Sequence, residues 1–514
     1  MKKRLSLMLL FTLCLSVVCA KADTDRQYGL FTYRLKGNGT AIITAFDWES
    51  NNGQDVYVPN QIEGYTVSEI GPFAFSSSEA TGVSYWRTRV GGTGNYVGQN
   101  VVIVLPNTIT LISEKAFFCS KITSVTIPSS VQLIGPGAFA GCHNIVQHTV
   151  ESGNNTYATI DGVLYDKVKK EVVAVPETKM INYAIPDGIR SIGPYAFFDL
   201  NMNGKSFMDM NEEDLALASE FMIGGKEFTF PSSVTKIGAY AFSFTKHEGG
   251  DDRPRYNFSN ITEIDEYAFY EASGDIEDWG KLQKVGPHAF EGFIHHTSKV
   301  KSFPETLEEI SEYSFANFGQ SYLYYTPNDR ISTIDLSNTK LTKIPSHAFE
   351  DLKYLDGYTT RGDPVLLLPE TLVEIGEYAF SSLNNTSGAG ELELHIPHSV
   401  KVIDDYAFAN AGKIRLSIDI DMVLTNIGVG AFSDANLQTK SLTLPQNLQS
   451  IGSRAFYCNL ETLSIPATVA TIGNDVVNRN VTKLLVEAGS YAELYASENG
   501  IPTVGNEDTS WLDN

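Results

Sequence analysis

Fourteen times along this 514-residue chain a branched aliphatic residue is followed, five residues later, by a bulky apolar residue that usually ends an Ala-Phe pair. Ile134-Gly135-Pro136-Gly137-Ala138-Phe139 and Ile451-Gly452-Ser453-Arg454-Ala455-Phe456 are two copies. The anchoring aliphatics are Ile70, Ile112, Ile134, Ile192, Ile237, Ile264, Val285, Ile310, Ile344, Ile375, Ile403, Ile427, Ile451 and Ile472. Thirteen copies close on a phenylalanine: Phe75, Phe117, Phe139, Phe197, Phe242, Phe269, Phe290, Phe315, Phe349, Phe380, Phe408, Phe432 and Phe456. The fourteenth has Val476-Val477. A unit that recurs every 21 to 58 residues is too small to enclose a core alone, so each must bury its apolar face against its neighbours. The expectation is a repeat solenoid of about 14 coils, and function by binding rather than catalysis.

The compact copies display the unit. In Ile122-Thr123-Ser124-Val125-Thr126-Ile127-Pro128, apolar and polar residues alternate, which predicts a short strand with Val125 and Ile127 inward. Pro128 ends it because proline has no N–H for a further rung. Val131 and Ile134 make a second inward contact after a short turn, and the glycine that follows the aliphatic in nine of fourteen copies suits a tight turn. Alanine allows close backbone approach, and the phenylalanines stack as one buried ladder across 13 levels, roughly 1.5–3 kcal/mol for each ring fully buried.

Both ends carry covers, which an open strand edge requires. Phe31–Leu35 and Ala41–Phe46 flank Lys36-Gly37-Asn38-Gly39-Thr40, a hairpin signal. Ser490–Ala496 has helix-forming composition and stops near Gly500. The division follows: residues 1–22 an export signal, 23–66 a hairpin cap and first strand, 67–485 the repeat array, and 486–514 a C-terminal helical cap and polar tail.

The unit Leu/Ile-Pro-x-x-Val/Leu-x-x-Ile-Gly-x-x-Ala-Phe resembles the BspA-like, Treponema-type leucine-rich repeats of bacterial surface proteins. Tyr157-Ala158-Thr159-Ile160-Asp161-Gly162-Val163-Leu164-Tyr165-Asp166 is similar to a hairpin found within arrays of that family. The resemblance implies a leucine-rich-repeat-like coil, a β-strand plus a short turn or 3-10 segment. It also implies an exported protein that adheres to host or bacterial partners, and brings no motif of activity.

Lys2, Lys3 and Arg4 followed by the apolar run Leu5 to Val18 read as a signal peptide, with Ala20 and Ala22 as the small residues of a cleavage site. A lipoprotein reading through Cys19 has Val18 where a small residue is normally needed. Cleavage leaves 34 basic against 61 acidic residues, a net of −27. That charge repels nucleic acid and anionic membrane, and no later segment spans a bilayer. The expected location is therefore exported, at the cell surface, extracellular or periplasmic.

Cys119, Cys142 and Cys458 follow the Ala-Phe pair by two or three residues, an inward structural slot; a Cys119–Cys142 bridge is the lesser alternative. Long insertions fall between the phenylalanine of one copy and the proline of the next, so they emerge along one side. The first carries Tyr85, Trp86, Arg87, Arg89 and Tyr96, residue types that dominate binding hot spots; self-packing of the loop is the competing reading. Asn211 to Met222 reads as a short packing helix. Arg361-Gly362-Asp363 presents opposite charges in another insertion and also reads as ordinary turn chemistry. Catalytic, cofactor and metal motifs are absent. His288, His347 and the pair His295-His296 read as solvated, Glu248, Asp251 and Asp252 lack EF-hand spacing, and Asp404-Asp405 replaces the glycine of its turn. The leading expectation is a non-catalytic scaffold that binds an extracellular or cell-surface protein. Glycan binding through outward Ser and Thr and loop aromatics is the alternative, and an enzyme within the insertions the remote one.

Overall fold

In the coil that begins at Ile122, alternation becomes geometry. Ile122, Val125 and Ile127 are buried in the strand Ile122–Ile127, and Thr123, Ser124 and Thr126 face outward. Pro128 ends the strand, and its carbonyl accepts from Val131 N at 3.2 Å, turning the chain toward the second inward contact. The computed structural model of the protein describes residues 24–76, 101–120, 122–179, 183–198, 227–245, 254–295, 302–319, 333–352, 365–383 and 390–504. These form a β-solenoid with two compact units, Met1–Val168 and Lys169–Asn514.

Three hydrogen-bonded sides recur among the described coils. The first is the strand before the proline, stacked in parallel in the first unit as Val56–Tyr57, Val101–Val104 and Ile122–Ile127, with Thr149–Val150 continuing the stack without a proline. The second is a two-residue strand ending on the anchoring aliphatic, as in Leu111–Ile112 paired with Leu133–Ile134. In the second unit Ser191–Ile192, Lys236–Ile237, Glu263–Ile264, Lys284–Val285 and Glu309–Ile310 stack in register, so every anchor faces inward beneath the next. Lys343–Ile344 to Thr471–Ile472 repeat the arrangement. Periodicity indicates one strand per coil; the second is too short to leave a period.

The third side is built from turns. Alternate amides reach the next coil: Lys115 N donates to Pro136 O at 3.1 Å, Phe117 N to Ala138 O at 2.8 Å, and Cys119 N to Ala140 O at 2.8 Å. The amides between them close local turns, Phe118 N donating to Lys115 O at 3.1 Å. This alternation requires a left-handed backbone at the residue before each Ala-Phe pair. All fourteen copies have it, at φ between 48° and 65°, although only Gly137 and Gly430 there are glycines.

The glycines after the anchors act differently from the turn role expected of them. None of the nine has positive φ. Each instead lies against the coil before it: a Cβ on Gly135 would sit 2.3 Å from Glu114 N, and one on Gly452 2.4 Å from the carbonyl carbon of Gly428. The N–H of Gly135 donates to Ile112 O at 2.7 Å, and that of Gly452 to Ile427 O at 2.8 Å. Close approach, not turn conformation, selects glycine here.

The phenylalanines stack in two columns rather than one ladder of 13. Phe75, Phe117 and Phe139 form that of the first unit, with centroids 5.2 Å apart and Phe46 of the cap above Phe75. In the second unit, Phe197 to Phe456 form ten levels at 4.6–5.4 Å and nearly parallel planes. Val172 opens that unit as the anchor of a coil without an Ala-Phe pair, since its carbonyl accepts from Gly193 N at 2.8 Å as other anchors do.

The covers are stapled by side chains. Phe31–Leu35 pairs antiparallel with Thr40–Phe46 through a turn with Gly39 at φ 79°. Tyr157–Ile160 and Val163–Asp166 form a hairpin around Asp161-Gly162, both left-handed, the backbone of a type I′ turn. The Tyr157 hydroxyl accepts from Ile134 N at 2.7 Å, and Asn154 donates to Pro128 O and Val131 O at 2.9 and 3.1 Å. At the C-terminal end the helix Tyr491–Glu498 is capped by Ser490, whose side chain accepts from Glu493 N at 3.2 Å. Its Tyr495 hydroxyl accepts from Val476 N at 3.1 Å.

Candidate interaction surfaces

Tyr85, Trp86, Arg87, Arg89 and Tyr96 lie outside the described residues, as do Arg361, Gly362 and Asp363, residues 1–22, the Asn211–Met222 segment, Glu248, Asp251, Asp252 and His296. The surfaces that can be built from geometry are the outward positions of the three sides.

Outward positions of the short-strand side in the second unit alternate in charge. Lys236 Nζ lies 3.2 Å from Glu263 and 2.9 Å from Asp265, Lys284 is 2.6 Å from Glu309, and Lys343 is 2.7 Å from Glu374. These cross-strand pairs largely neutralise that face and, being exposed, add little to stability.

The turn side carries aromatic rings. Its left-handed position holds Tyr195, Tyr240, Tyr267, His288, Tyr313, His347, Tyr378 and Tyr406 in eight successive coils. In-register stacking lays each ring on the next at 4.4–5.0 Å, with planes within 11° of parallel. All eight are half-buried: faces cover one another and edges reach the surface. A Cβ at Gly430 would come 2.4 Å from the Tyr406 ring, so glycine closes that end of the row.

His288 and His347 are therefore not solvated side chains, as their variable position in the motif suggested. Each is sandwiched between tyrosines, with Nδ1 2.5 Å from Glu291 and 2.8 Å from Glu350 respectively. His295 is fully buried in Ile294–His295, and its Nε2 accepts from Ile276 N at 3.3 Å, so the solvated reading fails for it too. The signal for the row, a tyrosine or histidine immediately before the Ala-Phe or Ser-Phe pair in eight successive copies, is visible in the sequence once the left-handed turn is known to align that position.

Acids flank the row. Glu266, Glu312 and Glu377 precede three of its tyrosines and are exposed; none forms an ion pair among the described residues. Burial first, then the nearby carboxylates, raise the phenol pKa values: Glu291 and Glu266 act on Tyr267, and Glu350, Glu291, Glu312 and Glu377 on Tyr313. A shallow groove of about 390 Å³ lies against the short strands Glu263–Ile264 and Lys284–Val285 and the turns after them, its charged lining being Glu263, Asp265, Glu266, Lys284 and Glu309.

Cys119, Cys142 and Cys458 are buried free thiols, and the Cys119–Cys142 bridge is not formed. Cys142 Sγ donates to Phe117 O at 2.9 Å, and burial pushes its thiol pKa up and that of Cys458 to about 11. Asp404 N donates to Ile375 O at 2.8 Å as the motif glycines do, and Asp405 accepts from Val429 N at 2.6 Å. Among the described residues no group of three or more His, Cys, Asp or Glu could hold a metal ion, and no helix is long and apolar enough to cross a membrane.

The profile of the BspA type leucine rich repeat region matches residues 60–158, 174–362 and 364–482. The chain belongs to the BspA-type leucine-rich repeat family. No curated protein matches its sequence. Among solved structures it is similar to a leucine-rich repeat protein from Eubacterium ventriosum, at 15% identity over 80% of this chain and 94% of that one, TM-score 0.38. A leucine rich cell surface protein from Faecalibacterium prausnitzii matches at 17% identity over 94% and 98%, TM-score 0.33. A leucine-rich repeat protein from Bacteroides ovatus matches at 18% over 90% and 100%, TM-score 0.34.

Proposed function

We propose that this BspA-type repeat protein is an exported, non-catalytic scaffold that binds another protein at the bacterial cell surface. The observation that carries the reading is the register of the coils. Equivalent outward side chains recur at every level, so the surface consists of long parallel rows rather than one enclosed site. Such rows suit an extended macromolecular partner. The basic and apolar N-terminal run supports export. The segment bearing Tyr85, Trp86, Arg87, Arg89 and Tyr96, and that bearing Arg361-Gly362-Asp363, are candidate contacts on their residue types.

A glycan-binding reading draws on outward hydroxyls at Ser441, Thr443, Thr462 and Ser464, which pair across two strands. A glycan array on which the intact protein is silent removes it. The protein-binding reading is tested with a panel of extracellular-matrix and bacterial surface proteins, where saturable binding is expected and its absence overturns the proposal. With a ligand in hand, joint Trp86→Ala and Arg87→Ala should weaken binding by about 2 kcal/mol at an unchanged melting temperature if the first loop is the contact. Protease cleavage on intact cells tests the surface location.

A further inference from the structure

We propose that the tyrosine–histidine row and the three unpaired glutamates beside it form a docking track for an extended protein segment with a lysine or arginine at every third residue. The inference rests on the protein-binding reading above and names the chemistry of the partner.

Charge is the first argument. The short-strand side matches its acids with lysines, whereas Glu266, Glu312 and Glu377 beside the row have no cationic partner among the described residues. Two further carboxylates, Glu291 and Glu350, face the imidazoles of the row itself. The chain as a whole is strongly acidic, at −23. A cationic segment supplies the missing counter-charge, and long-range attraction would speed its encounter.

Spacing is the second. Over the five central levels of the row the preceding residue alternates: Glu266-Tyr267, then Pro287-His288, Glu312-Tyr313, Ser346-His347 and Glu377-Tyr378. An unpaired glutamate thus recurs at every second level. Two levels of stacked strands are about 10 Å. A segment in the extended polyproline II conformation rises about 3.1 Å per residue and repeats its facing every third residue, so lying along the row it would bring side chains i, i+3 and i+6 over the three carboxylates.

Surface chemistry is the third. The ring faces are covered by their neighbours, which removes them as platforms for a sugar ring and leaves edges and phenol oxygens exposed. Aromatic edges do not attract cations, so the carboxylates provide the charge. The rings provide a rigid floor along which the aliphatic stems of lysine or arginine can lie, with hydroxyls as hydrogen-bond acceptors. Stacking and the left-handed turns hold the floor in place, so little ordering remains to be done on binding.

The test titrates the full chain with a peptide of Lys-Gly-Ser repeats and with a peptide of the same composition whose lysines are clustered at one end. The spaced peptide should bind about tenfold more tightly, and the triple substitution Glu266→Gln, Glu312→Gln and Glu377→Gln should remove the preference at an unchanged melting temperature. Neutralising Glu49, Glu487 and Glu498 instead, an equal change in net charge, should leave the preference intact. Equal binding of the two peptides, or an equal effect of the two triple variants, overturns the track. A panel ligand that binds the Glu266→Gln, Glu312→Gln, Glu377→Gln protein as tightly as the parent also overturns it, while leaving the scaffold reading standing. Absence of any panel ligand removes the scaffold reading, whatever the peptides do.

Discussion

A phenylalanine at mid-column has a stacked ring on each side and no route to water. Phe380 lies 5.4 Å from both Phe349 and Phe408 and is fully buried, so Phe380→Ala should cost about 3–5 kcal/mol in denaturant unfolding. Two glycines separate packing from backbone freedom. Gly37 has open space around its missing Cβ and no positive φ, so Gly37→Ala should be neutral or stabilise by up to about 1 kcal/mol. Gly452→Ala would drive a methyl to 2.4 Å from the backbone of the preceding coil, and should destabilise by about 1–3 kcal/mol. Equal melting temperatures for the two variants would contradict the close-approach role. His148 supplies a pH dependence. It is buried against Phe139, its Nδ1 has no hydrogen-bond partner, and burial lowers its pKa from 6.5 to about 4. The unfolded chain therefore binds the proton more readily. The stabilisation is complete above about pH 6.5 and is lost as the pH falls toward about 4, by about 3 kcal/mol in all. His148→Phe should flatten that portion of the pH–stability curve.

Elements end where the next coil would have accepted a hydrogen bond, and two covers solve this in the same way. Tyr157 of the hairpin and Tyr495 of the helix each place a phenol oxygen against a backbone N–H, that of Ile134 or Val476. Tyr157→Phe and Tyr495→Phe should each cost about 1–3 kcal/mol, because a buried donor loses its acceptor. Hydrogen exchange at Ile134 and Val476 should accelerate, and protected amides in the variants would refute the capping role. The strand before the proline was legible because alternation marks it, as at Ile122–Ile127. The turn side was not. Its left-handed residues are mostly tyrosine, histidine and other side chains that seldom adopt that conformation, and the hydrogen bonds that impose it come from the following coil.

Across the whole molecule the two phenylalanine columns make stability regional. In Phe380→Ala, exchange should quicken in Glu374–Ile375, Val402–Ile403 and neighbouring strands, and remain unchanged in Thr40–Phe46 and Ile122–Ile127. Uniform acceleration would mean that the molecule unfolds as one cooperative body. The repeat itself was determined by sequence alone: the Ile-x-x-x-Ala-Phe period, the proline stops and the N-terminal hairpin signal all act within one coil or between adjacent residues. What only the tertiary structure decided depends on which residues of different coils lie above one another. Insertions make the spacing irregular, so no linear period shows that the rings of Tyr313 and His347 stack face to face, or that Lys284 faces Glu309 while Glu312 forms no ion pair among the described residues. Hydrogen-bond register restores that alignment in space, turning a variable position of the motif into a continuous row.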